Sequence, residues 1–200
     1  MNQEVIIIGA GGHAKVIADI VRKNHDIVYG YLADSEPEDP ALKLLGTVAD
    51  YEKYKEKVFI IAIGNNGVRA RIEKQLAAVN YYTAVHPAAV MSEKVQIGVG
   101  TCVMAGAVMN ENVTIGKHCI INTNTTIEHD TVIEDFVHIS PRSVLCGSVR
   151  IGEQTQIGAG TTVINNVSVG SECMIGAGAA VIQSITEKGT YVGVPAKKIK

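Results

Sequence analysis

Every sixth residue from Ile97 onward is a large aliphatic or a methionine: Ile97, Val103, Met109, Ile115, Ile121, Ile127, Ile133, Ile139, Leu145, Ile151, Ile157, Val163, Val169, Ile175 and Val181. Met91 and Val85 extend the column backwards, and Glu187 ends it. A second column, two residues earlier, runs from Val95 to Ala179 and holds only small or β-branched residues. Gly98, Gly116, Gly152, Gly158, Gly170 and Gly176 each follow a member of the first column. Apolar residues fill about half of an ordinary sequence, so a run of this length arises by chance about once in thirty thousand trials. A six-residue period predicts a parallel β-helix in which each hexad gives one short strand and one turn. The aliphatic side chains are expected to point inward. The small column is expected to let the chain turn, and the glycines to take up positive φ at corners.

The residues before the repeat have a different character. Seven of the nine aromatic residues precede residue 83. Val5–Ile8 and Ile27–Leu32 read as buried strands, with a helix from Ala14 to Lys23 between them. A short helix at Tyr51–Tyr54, a third strand at Val58–Ile63 and a helix at Val68–Ala78 follow. Alternating strands and helices predict a small α/β domain with a parallel sheet. The expected division is residues 1–84 and 85–200, with the composition shifting near His86-Pro87, where the proline disfavours helix before it.

With 18 basic and 20 acidic residues, the chain lacks the positive excess of a phosphate-neutralising protein, so no nucleic-acid partner is expected. No apolar run is long enough for a membrane helix, and the start of the chain lacks the basic region of a signal peptide. Cys102, Cys119, Cys146 and Cys173 are too widely spaced to suggest a disulfide framework or a metal knuckle. Free thiols fit a cytoplasmic protein.

Four segments occur in order: Ile6-Ile-Ile-Gly-Ala-Gly-Gly-His-Ala-Lys-Val16, Ala62-Ile-Gly-Asn-Asn66 with Arg69, Ile127-Glu-His-Asp130, and Val192-Gly-Val-Pro-Ala-Lys197. Together they resemble the bacterial nucleotide-sugar acetyltransferases of the bacillosamine and perosamine pathways, and their relatives that O-acetylate sialic acid. The resemblance implies a small Rossmann-like α/β domain that holds the sugar nucleotide, followed by a left-handed β-helix with three hexads per coil. Sixteen hexads from Met91 to Thr186 would then make about five coils. It also implies acetyl-CoA as co-substrate, with no permanently bound cofactor and no metal, and a homotrimer whose sites lie between neighbouring prisms.

In that family the base is the histidine of an Ile-Glu-His-Glu type segment. Here it is His129, followed by Asp130, one methylene shorter than the family's glutamate. Imidazole titrates near neutrality and suits removal of a proton from an amine, with a carboxylate to orient the ring. Gly147 lies eighteen residues after His129, one coil further on, where its N–H could meet a developing oxyanion. The resemblance also points to Asn122, to position His129 or the acceptor, and to His138, to hold the acetyl oxygen. Ala159, Gly160, Ala177 and Gly178 would leave a shallow wall for pantetheine, with backbone groups open to pairing. Gly193, Pro195, Lys197 and Lys198 would close over the nucleotide end of CoA; the plainer reading is a C-terminal cap.

In the first domain, Gly11, Gly12 and His13 follow the first strand and open a helix, which suits phosphate. Asp34 ends the second strand and could take a ribose hydroxyl. Gly64, Asn65 and Asn66 follow the third strand, with Arg69 as a charge partner; the asparagines could read a base or simply cap the next helix.

The expected activity is transfer of acetyl from acetyl-CoA to the amine of a UDP-linked 4-amino-sugar. The alternatives are sugar O-acetylation, a γ-carbonic-anhydrase-like zinc lyase using His118, His129 and His138, an NAD-dependent dehydrogenase, and a non-catalytic scaffold.

Overall fold

The computed structural model describes residues 2–35, 42–76 and 78–200. It divides into two compact units, Met1–Pro87 and Ala88–Lys200.

The first unit is a five-stranded parallel sheet with the order β3-β2-β1-β4-β5. Its strands are β1 (Glu4–Ile8), β2 (Ile27–Leu32), β3 (Leu44–Gly46), β4 (Val58–Ile61) and β5 (Asn80–Tyr81). Helix α1 (Gly12–Lys23) buries Ala14, Ile17, Ala18, Ile20 and Val21, the face that its helical spacing dictates. A core cluster gathers Ile6, Ile8, Leu32, Phe59 and Ile61 from the strands with Ile72 and Leu76. Several boundaries differ from the sequence expectation. The third expected strand stops at Ile61. Helix α2 (Asn66–Gln75) starts two residues early because the Asn65 side chain caps it, accepting from the Val68 N–H at 3.0 Å. It ends before Ala78, whose φ of 56° is left-handed; residue 77, inside the expected helix, lies outside the described residues. β3 and β5 were not expected, being only three and two residues long.

The second unit is the left-handed β-helix. Strands pair in parallel with those eighteen residues away, as Val108↔Thr126 and Met109↔Ile127. Face one stacks six two-residue strands from Val90–Met91 through Thr126–Ile127 to Ala180–Val181. Face two stacks five, from Gln96–Ile97 to Ser168–Val169. Face three includes Cys102–Val103, Ile120–Ile121, His138–Ile139, Gln156–Ile157, Met174–Ile175 and Thr190–Val192. An antiparallel strand, Lys197–Lys198, closes it.

Both sequence columns point inward. Ile127, Ile139 and Ile157 are fully buried, and so are Thr125, Thr131 and Thr155 of the small column. The small residues therefore fill the corners of the interior instead of merely easing the turn. Their hydroxyls are satisfied by the next coil: Thr155 donates to the Gly170 carbonyl at 2.6 Å and accepts from the Cys173 N–H at 2.9 Å. A buried hydroxyl is costly only when it lacks such partners.

The expected positive-φ glycines are a different set from the observed one. The left-handed residues recur every six positions from Gly100 to Gly178, and ten of the fourteen are not glycine, among them Asn112, Asp130, Phe136 and Gln154. Such a residue costs about 1–2 kcal/mol outside glycine. The cost is met by a corner hydrogen bond to the carbonyl nineteen residues earlier, as Asp130 N–H to Glu111 and Ser148 N–H to His129, and by burial of about 1.5–3 kcal/mol for each large aliphatic. The glycine column answers close approach instead: a Cβ at Gly98 would stand 2.5 Å from the Gly116 backbone.

Candidate active site

His129 and Asp130 form the corner between Thr126–Ile127 of face one and Val132–Ile133 of face two. The left-handed Asp130 (φ 59°) turns its carboxylate back to the ring, and His129 Nδ1 lies 2.8 Å from Asp130 Oδ2. The other carboxylate oxygen accepts from Asn112 Nδ2 at 3.0 Å. Hydrogen bonds from His129, then from Asn112, hold the Asp130 carboxyl below its usual range. Its charged form makes Nδ1 the donor and leaves Nε2 as the basic nitrogen.

Gly147 occupies the same corner one coil on. A Cβ there would fall 2.7 Å from His129 Nε2 and 2.8 Å from Cε1. The imidazole thus lies across a bare stretch of backbone. Among the described residues the Gly147 N–H has no hydrogen-bond partner, while its carbonyl accepts from Asn166. From His129 upward, the residues that follow the last four face-one strands beside this edge are Glu128, Cys146, Ile164 and Ile182, with Ile164 39% and Ile182 47% exposed. The strip ends at a cavity of about 450 Å³ lined by Ile182, Gln183, Ser184, Thr186, Pro195 and Lys197, among others.

The remaining expected residues of this unit lie elsewhere on the prism. Asn122 Nδ2 stands 3.1 Å from His138 Nε2 on face three, so within one chain Asn122 does not position His129. Ala159, Gly160, Ala177 and Gly178 form the edge between faces three and one. The wall is exposed, and the Gly160 and Gly178 N–H groups are bonded to the carbonyls of Pro141 and Ala159, which removes those two donors from the expected pairing. Gly193 (φ 97°) and Pro195 belong to the turn of the terminal hairpin. Lys198 is committed to Glu187 at 2.9 Å, which leaves Lys197 as the cation of the cavity wall. His118 sits at the edge between faces two and three, stacked on Phe136 at 5.4 Å. The three histidines of the zinc alternative therefore stand on different sides of the prism, and among the described residues of one chain they form no group that could hold a metal ion.

The first unit has a crevice of about 530 Å³ at the carboxyl ends of β1, β2 and β4, where the strand order reverses and ligands of open α/β sheets bind. Gly9–His13, Asp34 and Gly64 line it. Gly9 is required by the fold: its φ is 107° and a Cβ would meet the Ala62 carbonyl at 3.0 Å. Gly11, Gly12 and Gly64 are not, since a Cβ on any of them would meet nothing within 4 Å. Their bareness widens the crevice beside the N-terminus of α1, whose first turn carries no acidic residue. Burial and the Arg69 guanidinium push the His13 imidazole down to about 4, so near neutral pH it is uncharged. Asp34 Oδ1 accepts from the Val48 N–H at 3.0 Å, which orients an otherwise exposed carboxylate.

Arg69 is not the expected ligand cation. It is 1% exposed and donates to the carbonyls of Ile63 (3.0 Å) and Gly64 (2.9 Å) and to Asn66 Oδ1 (2.9 Å). It braces the loop, with Asn66 as its partner and Asn65 as the helix cap. The cation on the crevice wall is Arg71, with Gln75 one turn further along α2 and Ser35 after β2. Val68, Arg71, Ile72 and Gln75 follow the i, i+3, i+4, i+7 rule, a signal present in the sequence once the helix is placed.

A hexapeptide prism with a histidine-carboxylate corner, joined to a parallel sheet with an open crevice, defines the acyltransferase class of left-handed β-helix proteins. Among family descriptions, the PglD N-terminal domain matches residues 4–76, and the bacterial transferase hexapeptide (six repeats) matches 130–165 and 148–183. The acetyltransferase domain of PglB from Neisseria gonorrhoeae, solved with acetyl coenzyme A, is 34% identical with a TM-score of 0.94, covering 100% of both chains. A mutant of perosamine N-acetyltransferase from Caulobacter crescentus, solved with CoA and GDP-perosamine, is 32% identical with a TM-score of 0.93 over 98% of this chain and 97% of that one. The UDP-N-acetylbacillosamine N-acetyltransferase of Bacillus subtilis is 36% identical over 114 residues, 50% of each sequence. This chain spans half or less of the length of the curated relatives it matches. It belongs to the hexapeptide-repeat sugar N-acetyltransferases that carry a PglD-type N-terminal domain.

Proposed function

We propose that the protein transfers acetyl from acetyl-CoA to the amine of a nucleoside-diphosphate 4-amino-sugar, with UDP as the expected nucleotide. The observation that carries this is the Asp130–His129 pair at 2.8 Å with Nε2 lying against Gly147. The acceptor amine attacks the thioester carbonyl. His129 Nε2 takes the amine proton as the C–N bond forms, and the Gly147 N–H stabilises the oxyanion. Collapse breaks the C–S bond, and the imidazolium returns the proton to the CoA thiolate. Asp130 stabilises the imidazolium between these steps.

Three coils separate His129 from Gln183 of the upper cavity, a rise of about 14 Å at the usual strand spacing. An extended pantetheine arm spans that length along Cys146, Ile164 and Ile182, with Lys197 at its phosphate end. Asn122, His138 and the Ala159–Gly160 and Ala177–Gly178 wall lie on other sides of the same prism. A homotrimer, with the His129 edge of one copy against face three of another, brings both sets to one cleft. In the first unit the crevice holds the nucleotide: the α1 N-terminus faces the diphosphate, Asp34 the ribose, and Arg71 with Gln75 the remaining polar edge.

The test is release of free CoA from acetyl-CoA and UDP-4-amino-sugar. His129→Ala is expected to lower kcat by about 10²–10⁴, the range of general-base catalysis. An unchanged rate removes His129 from the mechanism. A thermal-shift panel of UDP-, GDP- and CMP-sugars reads the nucleotide, since ligands that bind the native state raise the melting temperature.

A further inference from the structure

Asp130 is bonded at both oxygens, and only one of those bonds goes to His129. We infer that Asn112, one coil below, is a positioning residue for the base: its amide fixes the plane of the Asp130 carboxylate, which in turn fixes the tautomer of His129. This rests on the acetyl-transfer reading of the same edge.

The side chains of His129 and Asp130 are 55% and 51% exposed, so water competes for the carboxylate on every side. A short aspartate reaching its own neighbour in sequence has a single contact to orient it, and rotation about its terminal torsion is broad and soft. The amide of Asn112 occupies the second oxygen at 3.0 Å. With both oxygens occupied, the carboxylate presents its Oδ2 to Nδ1 in one orientation. The proton then stays on Nδ1, and Nε2 faces Gly147 unprotonated.

The backbone supports the same residue choice. Asn112 and Asp130 are both left-handed, at φ 60° and 59°, the corner position that returns every coil. Asparagine and aspartate are the non-glycine residues that tolerate this conformation best. The side chains of 112 and 130 thus stack one above the other by construction. The nearby carboxylate of Glu111, engaged with Lys94 at 2.8 Å and with the Ser92 hydroxyl, only accepts hydrogen bonds and so offers Asp130 no donor in place of the Asn112 amide. Next up the ladder is Ser148, which follows Gly147.

The test uses the full chain carrying Asn112→Gly, Asn112→Gln or Asn112→Asp. Glycine keeps the positive φ without strain, and Gln154 shows glutamine accepted at an equivalent corner with φ 58°. Loss of a hydrogen bond to a charged group is worth about a factor of ten. Asn112→Gly is expected to lower kcat about tenfold with the KM for acetyl-CoA unchanged. Asn112→Asp is expected to fall further through repulsion of Asp130, and Asn112→Gln to recover part of the loss. In parallel, nitrogen-15 spectra of the ring at neutral pH are expected to show the Nδ1–H tautomer in the parent and a shift toward Nε2–H in Asn112→Gly. An unchanged tautomer in Asn112→Gly, or an aspartate variant no worse than the glycine one, overturns the inference. If the parent transfers no acetyl group, the functional reading fails, and the ring spectra by themselves still decide the role of Asn112.

Discussion

The reach of His129 depends on a residue that has no side chain. Gly147 is not left-handed, so alanine there brings no backbone strain, only a methyl 2.7 Å from Nε2. Because the ring is half exposed it can swing away. Gly147→Ala is therefore expected to leave the melting temperature nearly unchanged while kcat falls by about a hundredfold, the cost of misplacing a catalytic group by about an ångström. Steady-state kinetics beside a melting curve checks this; a normal kcat would mean that the ring does not work from that position. His13 makes a pH prediction. Its native value of about 4 lies below the ordinary 6.5, so the unfolded chain takes up a proton first as pH falls. Its contribution is absent above pH 6.5 and turns unfavourable between 6.5 and 4, by at most about 3 kcal/mol. His13→Gln should flatten that part of the stability-pH curve in urea titrations. Among single residues, the His129–Asp130 pair was legible because sequence neighbours in a repeat share a corner. The role of Arg69 was not, because nothing in a sequence says whether a guanidinium turns toward a ligand or toward its own loop.

At the scale of elements, α2 separates bracing from recognition. Asn65 and Arg69 hold its start, and Arg71 and Gln75 face the crevice. Asn65→Ala is expected to cost about 1 kcal/mol of stability as a lost N-cap, with little change in nucleotide affinity. Arg71→Ala is expected to do the reverse, weakening nucleotide binding about tenfold at constant melting temperature. Calorimetric titration with the nucleoside diphosphate distinguishes them, and equal effects of the two variants on affinity would contradict the division. The strands β1, β2 and β4 were readable as apolar runs. Asparagine after a strand suits either a helix cap or a ligand contact, and Asn65 takes the cap that moves the start of α2. The left-handed corner column stayed hidden because ten of its fourteen members carry side chains of many kinds. The corner is imposed by the coil and its hydrogen bonds, not by residue type.

For the whole molecule, a six-residue period suffices to predict a parallel β-helix, since both inward columns can be counted in the sequence, while the three-sided, left-handed coil comes from the family resemblance. What the count does not reveal is which edge each candidate occupies. Eighteen-residue spacing puts His129 beneath Gly147, but Asn122, His138 and the Ala159–Gly160 wall fall on other sides of the same coil. On the proposed function, a single copy carries the two sets of residues apart, and a second copy is needed to bring them together. The direct measurement mixes two variant chains, His129→Ala and His138→Ala, after unfolding and joint refolding, and follows CoA release with acetyl-CoA and the UDP-4-amino-sugar. Each variant alone is expected to be slow and the mixture to recover activity, because in a trimer some clefts pair an intact His129 with an intact His138 from the neighbouring copy. A mixture no faster than its two components, when the unmodified chain refolded in the same way is active, would contradict it.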